Sequence, residues 1–351
     1  MLGSRTIAWT AVVAALVFVA AGVALVALRD GGELEAGFVA EGTSGKTMTH
    51  EVEVQLPIGT VRLASGEPLE EIADRRVGRH GDGTVRAAGG ATIVPVAWSF
   101  RPTLSYNDVL GYPTTFSLAV TAGGERTDLG EPDVDLHEAT DSGLFPEASL
   151  IAVVAGDGDD LGFEVTYEGE AQSVAMATGK VEAGRAAALY PDGPQTYGTD
   201  GDCDARSAAT SPDEIRYVSP DAGALYCRVD PIMRTPYLPD LGWASDGHVW
   251  HVVEVTVTAP RKVTWLPTGA RYRVERDPVT VSLAGSEPVR GPRSNDDRET
   301  RKGTWIFDSP IDPAVSTLHL SAPMRAVRPS TTADGPASVD LGVDQTFELK
   351  Q

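Results

Sequence analysis

The stretch Trp250-His251-Val252-Val253-Glu254-Val255-Thr256-Val257-Thr258 decides the fold class. Val249, His251, Val253, Val255 and Val257 share one face of an extended chain, because side chains in a strand alternate sides with a period of two. Val and Thr also fit a pleated, half-buried surface well. The same period recurs upstream, where Val52, Val54, Leu56 and Ile58 alternate with Glu51, Glu53 and Gln55. Val94, Val96, Trp98 and Phe100 form another stripe, in which Pro95 suggests a sheet edge. Phe116, Leu118 and Val120 follow, then Ile151 and Val153, then Leu161, Phe163, Val165 and Tyr167. Downstream come Tyr272 and Val274, then Val279, Val281 and Leu283, then Trp305 and Phe307, then Leu318 and Leu320. Val339, Leu341, Val343, Phe347 and Leu349 close the chain. Short alternating runs parted by Gly/Pro/Asp clusters are the signature of sandwiches and barrels. Beyond the N-terminus only Leu69 to Arg76 has a helical rhythm, and it is barely two turns long.

From Thr6 to Leu28 no residue is charged, and a helix of that length spans the ~30 Å hydrocarbon layer of a membrane. Arg5 precedes the run, and Arg29 is diluted at once by Asp30, Glu33 and Glu35, which gives a modest preference for a cytoplasmic N-terminus. The rival is a cleaved signal peptide, since Val19-Ala20-Ala21 and Gly22-Val23-Ala24 offer small residues at suitable spacing. No cysteine lies near the end of the run, so an acylated lipoprotein is excluded. The expected architecture is all-β: two immunoglobulin-like β-sandwich domains after a single N-terminal transmembrane helix. The expected boundaries are an anchor over 1–29, a Gly/Ser/Thr-rich flexible stalk over 30–49, a first sandwich over 50–182 and a second over 247–351. Between the sandwiches, 183–246 reads as a connector, interrupted by Pro191, Pro194, Pro212, Pro220, Pro231, Pro236 and Pro239.

Charge narrows the partners. The 351 residues carry 29 Lys+Arg against 50 Asp+Glu, a net −21, which excludes nucleic acid as a favoured partner. Cys203 and Cys227 are the chain's two cysteines, too few for a four-cysteine zinc site. In an oxidising exterior they are expected to pair, stapling the connector by about 3 kcal/mol in the chain-entropy model; the alternative is two buried thiols. Arg outnumbers Lys 24 to 5, a composition that fits a high-GC bacterium such as an actinobacterium.

In the second half, the long Trp/Val strand is followed by hairpins, then by Gly303-Thr304-Trp305-Ile306-Phe307-Asp308 with Pro310, then by Thr317-Leu318-His319-Leu320-Ser321. This resembles the telokin-like, immunoglobulin-fold domains of Gram-positive envelope proteins, in which a glycine-led aromatic strand and an acid–proline turn precede a late leucine strand. The resemblance covers about 100 residues. The cysteine-bearing connector stands outside that pattern. What it implies is binding or scaffolding, and it brings no catalytic residues with it.

The residues themselves offer little catalytic chemistry. There is no Gly-x-Ser-x-Gly elbow, no His-Glu-x-x-His and no phosphate-binding glycine loop followed by Lys. Asp200, Asp202 and Asp204 alternate in a Gly-containing loop and could converge on calcium, which takes six to eight oxygen ligands. The EF-hand pattern then fails at Ala205 and Ser211, and a solvated acidic turn explains the cluster equally. Gly156-Asp157-Gly158-Asp159-Asp160 reads as a hairpin turn, and His251 as a core histidine. Two basic stretches, Arg75-Arg76-Val77-Gly78-Arg79-His80 and Arg290 to Lys302, break the acidic background and could meet an envelope protein or an anionic wall polymer. The expectation is a membrane-anchored, single-pass envelope protein with its C-terminal ectodomain outside, which binds or scaffolds and catalyses nothing. The alternative is a secreted hydrolase or carbohydrate-binding accessory protein, marked by an exposed cleft that sets Trp98, Trp243, Trp250 or Trp265 beside a carboxylate pair.

Overall fold

A computed structural model describes residues 32–102, 111–136, 145–190, 195–199, 218–220, 226–292, 295–296, 300–311, 316–329 and 335–350. The chain divides into two compact units, Met1–Gly184 and Arg185–Gln351.

The first unit runs β1 (Glu33–Leu34), β2 (Val39–Glu41), β3 (Met48–Leu56), β4 (Gly59–Gly66), β5 (Glu71–Ala73), β6 (Thr84–Ala87) and β7 (Ala91–Pro102). It continues with β8 (Ser117–Ala122), β9 (Glu125–Gly130), β10 (Glu147–Ala155), β11 (Gly162–Tyr167), β12 (Glu170–Ala175) and β13 (Lys180–Glu182). These strands form two five-stranded sheets, ordered β2-β10-β7-β4-β3 and β13-β12-β11-β8-β9, and a small third, β1-β6-β5. Even-numbered residues of β7 and β10, such as Val94, Val96, Leu150, Ala152 and Val154, are buried on the face opposite that of Ile93, Ile151 and Val153. Leu34, Ile72, Val77 and Val85 of the small-sheet region pack on Ile93, Ile151 and Val153. The middle of the sheet is thus buried on both faces, which is why Leu150 to Val154 is an unbroken apolar run instead of an alternation.

Polar ties join the layers. Fully buried Gln172 of β12 donates its side-chain N–H to the backbone carbonyl of Gln55 in β3 at 2.8 Å. Tyr167, also fully buried, donates its hydroxyl to the Pro113 carbonyl at 3.0 Å. Pro95 lies in the central strand and not in an edge strand. Its neighbour Ile93 turns its N–H and carbonyl toward Leu69, and the period of two turns the Pro95 nitrogen to the same side. There the ladder between β4 and β7 has already ended, its last pair being Ser65 with Val96, so no paired position is broken by the missing donor.

The second unit runs β14 (Gln195–Thr199), β15 (Val218–Pro220), β16 (Tyr226–Val229), β17 (Ile232–Thr235), β18 (Tyr237–Leu238), β19 (Gly242–Trp243) and β20 (His248–Thr258). Then come β21 (Lys262–Trp265), β22 (Ala270–Arg276), β23 (Thr280–Leu283), β24 (Asn295–Asp296), β25 (Thr300–Pro310), β26 (Thr317–Val327) and β27 (Ser338–Lys350). One layer centres on β17-β20-β25 and the other on β21-β22-β26-β27, and β14 pairs with β17 by its first residues and with β27 by its last. A single core lies between the layers, in which Val253, Val255, Trp305 and Phe307 meet Tyr272, Leu318, Leu320, Val343 and Phe347. The Tyr272 hydroxyl donates to the Pro336 carbonyl at 2.7 Å.

Four expectations are corrected. No helix among the described residues is long and apolar enough to cross a membrane. The 3₁₀ helices Asp74–Val77 and Gly184–Leu189 have four and six residues, against the ~20 residues a crossing needs. The expected transmembrane helix is therefore not supported, and the run Thr6–Leu28 lies outside the described residues. The stretch expected as a stalk contributes β1, parallel to β6, and β2, antiparallel to β10, because Leu34 finds a buried site. The immunoglobulin-like expectation gives way to a first unit of thirteen described strands in three sheets, beyond the about seven to nine of an immunoglobulin sandwich. Much of the expected connector belongs to the second unit. There Pro231, Pro236 and Pro239 fall between β16, β17, β18 and β19, and β16 and β17 pair with β20.

Replacing Gln172 by Leu strands the Gln55 carbonyl between the two sheets. Loss of about 1–3 kcal/mol of stability is expected, the penalty of a buried unsatisfied acceptor, and chemical denaturation of the variant against the parent measures it.

Candidate functional site

The small third sheet covers only half of one face of the β2-β10-β7-β4-β3 sheet. Past Pro95 and Ile151 that face changes from apolar to small and polar. The registers place Glu51, Ala64, Ala97 and Ser149 in one row across β3, β4, β7 and β10. Glu53, Arg62, Ser99 and Glu147 form the next row. Gln55, Thr60 and Arg101 form a third. Ala and Ser are poor strand formers whose side chains barely rise above the pleat, so the middle of the uncovered face is a trough.

Two hollows lie along it. One, of about 390 Å³, is lined by Glu51, Arg62, Ala97, Trp98 and Glu147 among others. The second, of about 270 Å³, is lined by Glu53, Thr60, Arg101 and Phe145 and shares Arg62 and Ser99 with the first. Arg62 spans the pair of glutamates on β3, with 2.9 Å to Glu53 and 2.8 Å to Glu51. The hydrogen bond to Glu53, reinforced by the charges of Glu51 and Glu53, raises its pKa above the ordinary arginine value. The guanidinium of Arg101 lies 5.4 Å from the centre of the Phe145 ring, which is 40% exposed. The trough thus offers planar hydrogen-bonding groups, hydroxyls and one aromatic face to a bound molecule.

Its carboxylates do not form a hydrolytic pair. Glu147 and the β3 glutamates are separated by three interstrand spacings, about 14 Å, whereas glycosidase carboxylates stand within ~10 Å of each other. Glu51 and Glu53 are in addition tied to Arg62.

No family model matches this chain, and no curated protein matches it. Among solved structures, the crystal structure of the conserved domain protein from Bacillus anthracis aligns with 88% of this chain and 96% of its own, at 9% identity and a TM-score of 0.24. At that score neither fold nor function transfers.

Asp200, Asp202, Asp204 and Cys203 lie outside the described residues. Cys227 is fully buried and is not a free thiol. Among the described residues no group of three or more His, Cys, Asp or Glu side chains is placed to hold a metal ion. Asp160 spends both carboxylate oxygens on the Gly123 N–H, at 2.9 and 3.0 Å, and so pins the turn between β8 and β9 to its own turn. Three cations of the basic stretches serve the fold. Arg76 donates to the Thr43 carbonyl, Arg290 pairs with Asp240 at 3.2 Å, and Lys302 pairs with Glu254 at 2.6 Å. Trp98 of β7 turns its ring to the face opposite Ala97 and Ser99, where it meets Phe116 edge-on at 6.0 Å. In the second unit Trp243 stacks edge-on with Tyr237 at 5.3 Å, and Trp250 donates its indole N–H to the Gly242 carbonyl. Trp265 packs against the core.

Arg62, Ser99, Arg101, Phe145 and the Ala floor were not picked out from the sequence. A signal was present in β7, where one alternation carries Ile93 and Pro95 and then Ala97, Ser99 and Arg101.

His251 is 1% exposed, directly across from Arg234 on β17 and Phe307 on β25. Burial, with the charge of Arg234 adding to it, pushes its pKa down to about 4. The unfolded chain binds that proton near pH 6.5, so the neutral buried form supports the fold above about 6.5 and loses that support as pH falls toward 4. About 3 kcal/mol is expected to vanish across that window. His251→Leu should flatten this part of the melting-temperature profile, measured by calorimetry between pH 7 and 4.

Proposed function

We propose that the protein is an extracytoplasmic binding module of a bacterial envelope, and that the trough across β3, β4, β7 and β10 holds an extended, hydroxyl-rich polymer of glycan type. The uncovered half-face carries this reading: two adjoining hollows with a small-residue floor, walled by Arg62, Glu147 and Arg101 and ended by the exposed Phe145 ring. Fixed planar guanidinium and carboxylate groups suit paired hydroxyls. An aromatic face suits the apolar side of a sugar ring. The arrangement favours holding over cleaving, since Glu147 stands too far from the β3 glutamates for glycoside hydrolysis and those two are tied to Arg62.

Export is supported by the uncharged run from Thr6 to Leu28 and by Cys227, which is buried and not free. A net charge of −21 is compatible with a neutral polymer and unfavourable for an anionic one, the more so because Arg76, Arg290 and Arg301 of the basic stretches are engaged in the fold.

Titration calorimetry of the protein against soluble wall-glycan fragments and neutral polysaccharides tests the proposal. Binding is expected, and Ala97→Arg, which fills the floor, should abolish it. Arg101→Ala should raise Kd about tenfold, the worth of one good contact. Absence of heat with every glycan, or binding that Ala97→Arg leaves untouched, would remove the trough from the function. Non-reducing mass spectrometry of the exported protein is expected to recover one peptide containing both Cys203 and Cys227.

A further inference from the structure

We propose that the protein pairs with a second copy of itself through the outer face of the β21-β22-β26-β27 layer. Along the strands of this face charge is sorted into two ends. At one end Lys262 on β21 stands directly opposite Arg273 on β22, and Arg271 follows on the same face. Like charges directly opposed across a ladder destabilise it, so their placement here is not explained by the sheet.

The other end is a hollow of about 430 Å³ whose lining includes Glu275, Asp277, Asp340 and Asp344 against the single guanidinium of Arg325. Arg325 is held by Asp340 at 3.0 Å, and Asp344 contacts His319 at 2.6 Å. The hollow exists because Pro323 on β26 faces Gly342 on β27. Gly342 has φ +139, and a Cβ there would meet the Ala322 carbonyl oxygen at 2.6 Å, so no side chain fills the space.

The registers set the distance between the two ends. Arg273 pairs with Val327, Arg325 with Asp340 and Ser321 with Asp344. Glu275 and Asp340 thus lie one same-face step from the Arg273 row and Asp344 three, about 7 and 20 Å along the strands. A face with cations at one end and carboxylates at the other is complementary to itself. A two-fold axis lying in the face and running obliquely to the strands, since the cations lie on β21 and β22 and two of the carboxylates on β27, sets Lys262 and Arg273 of each copy over the acidic hollow of the other. An axis along the strands would set like on like, so the charges choose one pairing. This is the isologous geometry of a closed dimer.

Four strands about 4.8 Å apart and ~10 residues long present roughly 600 Å² per copy. That area lies near the lower limit for a specific interface. The dimer is therefore weak, polar and sensitive to salt.

Sedimentation velocity of the full chain tests the proposal, with any association through residues 6–28 common to all samples. At about 100 µM in low salt the parent should be dimeric, and raising salt toward ~500 mM should weaken it more than tenfold. Lys262→Glu with Arg273→Glu should give monomers, as should Asp340→Lys with Asp344→Lys. An equimolar mixture of the two variants should restore a dimer, because both pairs of opposed ends are again complementary. If one variant does not fold, the other and the salt series carry the test. A parent that is monomeric in low salt overturns the proposal, as does a dimer that survives both charge reversals. Glycan binding at the trough is independent of either result, since Ala97→Arg leaves this face untouched.

Discussion

The contact of Leu34, Ile72, Val77 and Val85 with Ile93, Ile151 and Val153 sets the character of the first unit. It makes the middle of a sheet bury both faces while leaving the rest of one face open. Where the cover lies, β7 and β10 must be apolar on successive residues. Where it ends, the same alternation is released from the core and becomes Ala97, Ser99, Arg101, Ser149 and Glu147. Core and candidate site are therefore two parts of one sheet face, divided by the edge of a small neighbouring sheet.

Buried polar groups pin this arrangement at few points. Gln172 reaches a backbone carbonyl on the facing sheet, and Tyr167 and Tyr272 each hold a loop through a proline carbonyl. A proline leaves its carbonyl free to accept while supplying no competing N–H. His251 is different. It shares the apolar stripe of β20, and burial beside Arg234 keeps it neutral at ordinary pH. The second unit thus carries an acid-sensitive residue within its core.

Charge is organised by face and not by sequence run. The stretches that look basic in sequence, 75–80 and 290–302, supply arginines and a lysine to nearby carbonyls and carboxylates. The cations that stand together without such a role in the ladder, Lys262 and Arg273, are eleven positions apart and meet only because β21 and β22 form a hairpin. The acidic hollow likewise joins β22, β26 and β27, of which the first two have β23, β24 and β25 between them in the chain.

By itself the sequence determined the all-β character, because a period of two is a local property that each strand carries alone. It also determined which side of β20 would face a core, and that His251 would lie on it. Tertiary structure alone decided that 33–41 joins the first unit, that 226–243 joins the second, and that Pro95 could sit in a central strand. Short strands such as β1 and β2 have too few residues to show a period, and only a waiting partner makes them strands. The trough was beyond the sequence for the same reason. Ala64, Ala97, Ser99 and Ser149 become one surface through cross-strand register, which is a relation between segments and belongs to none of them.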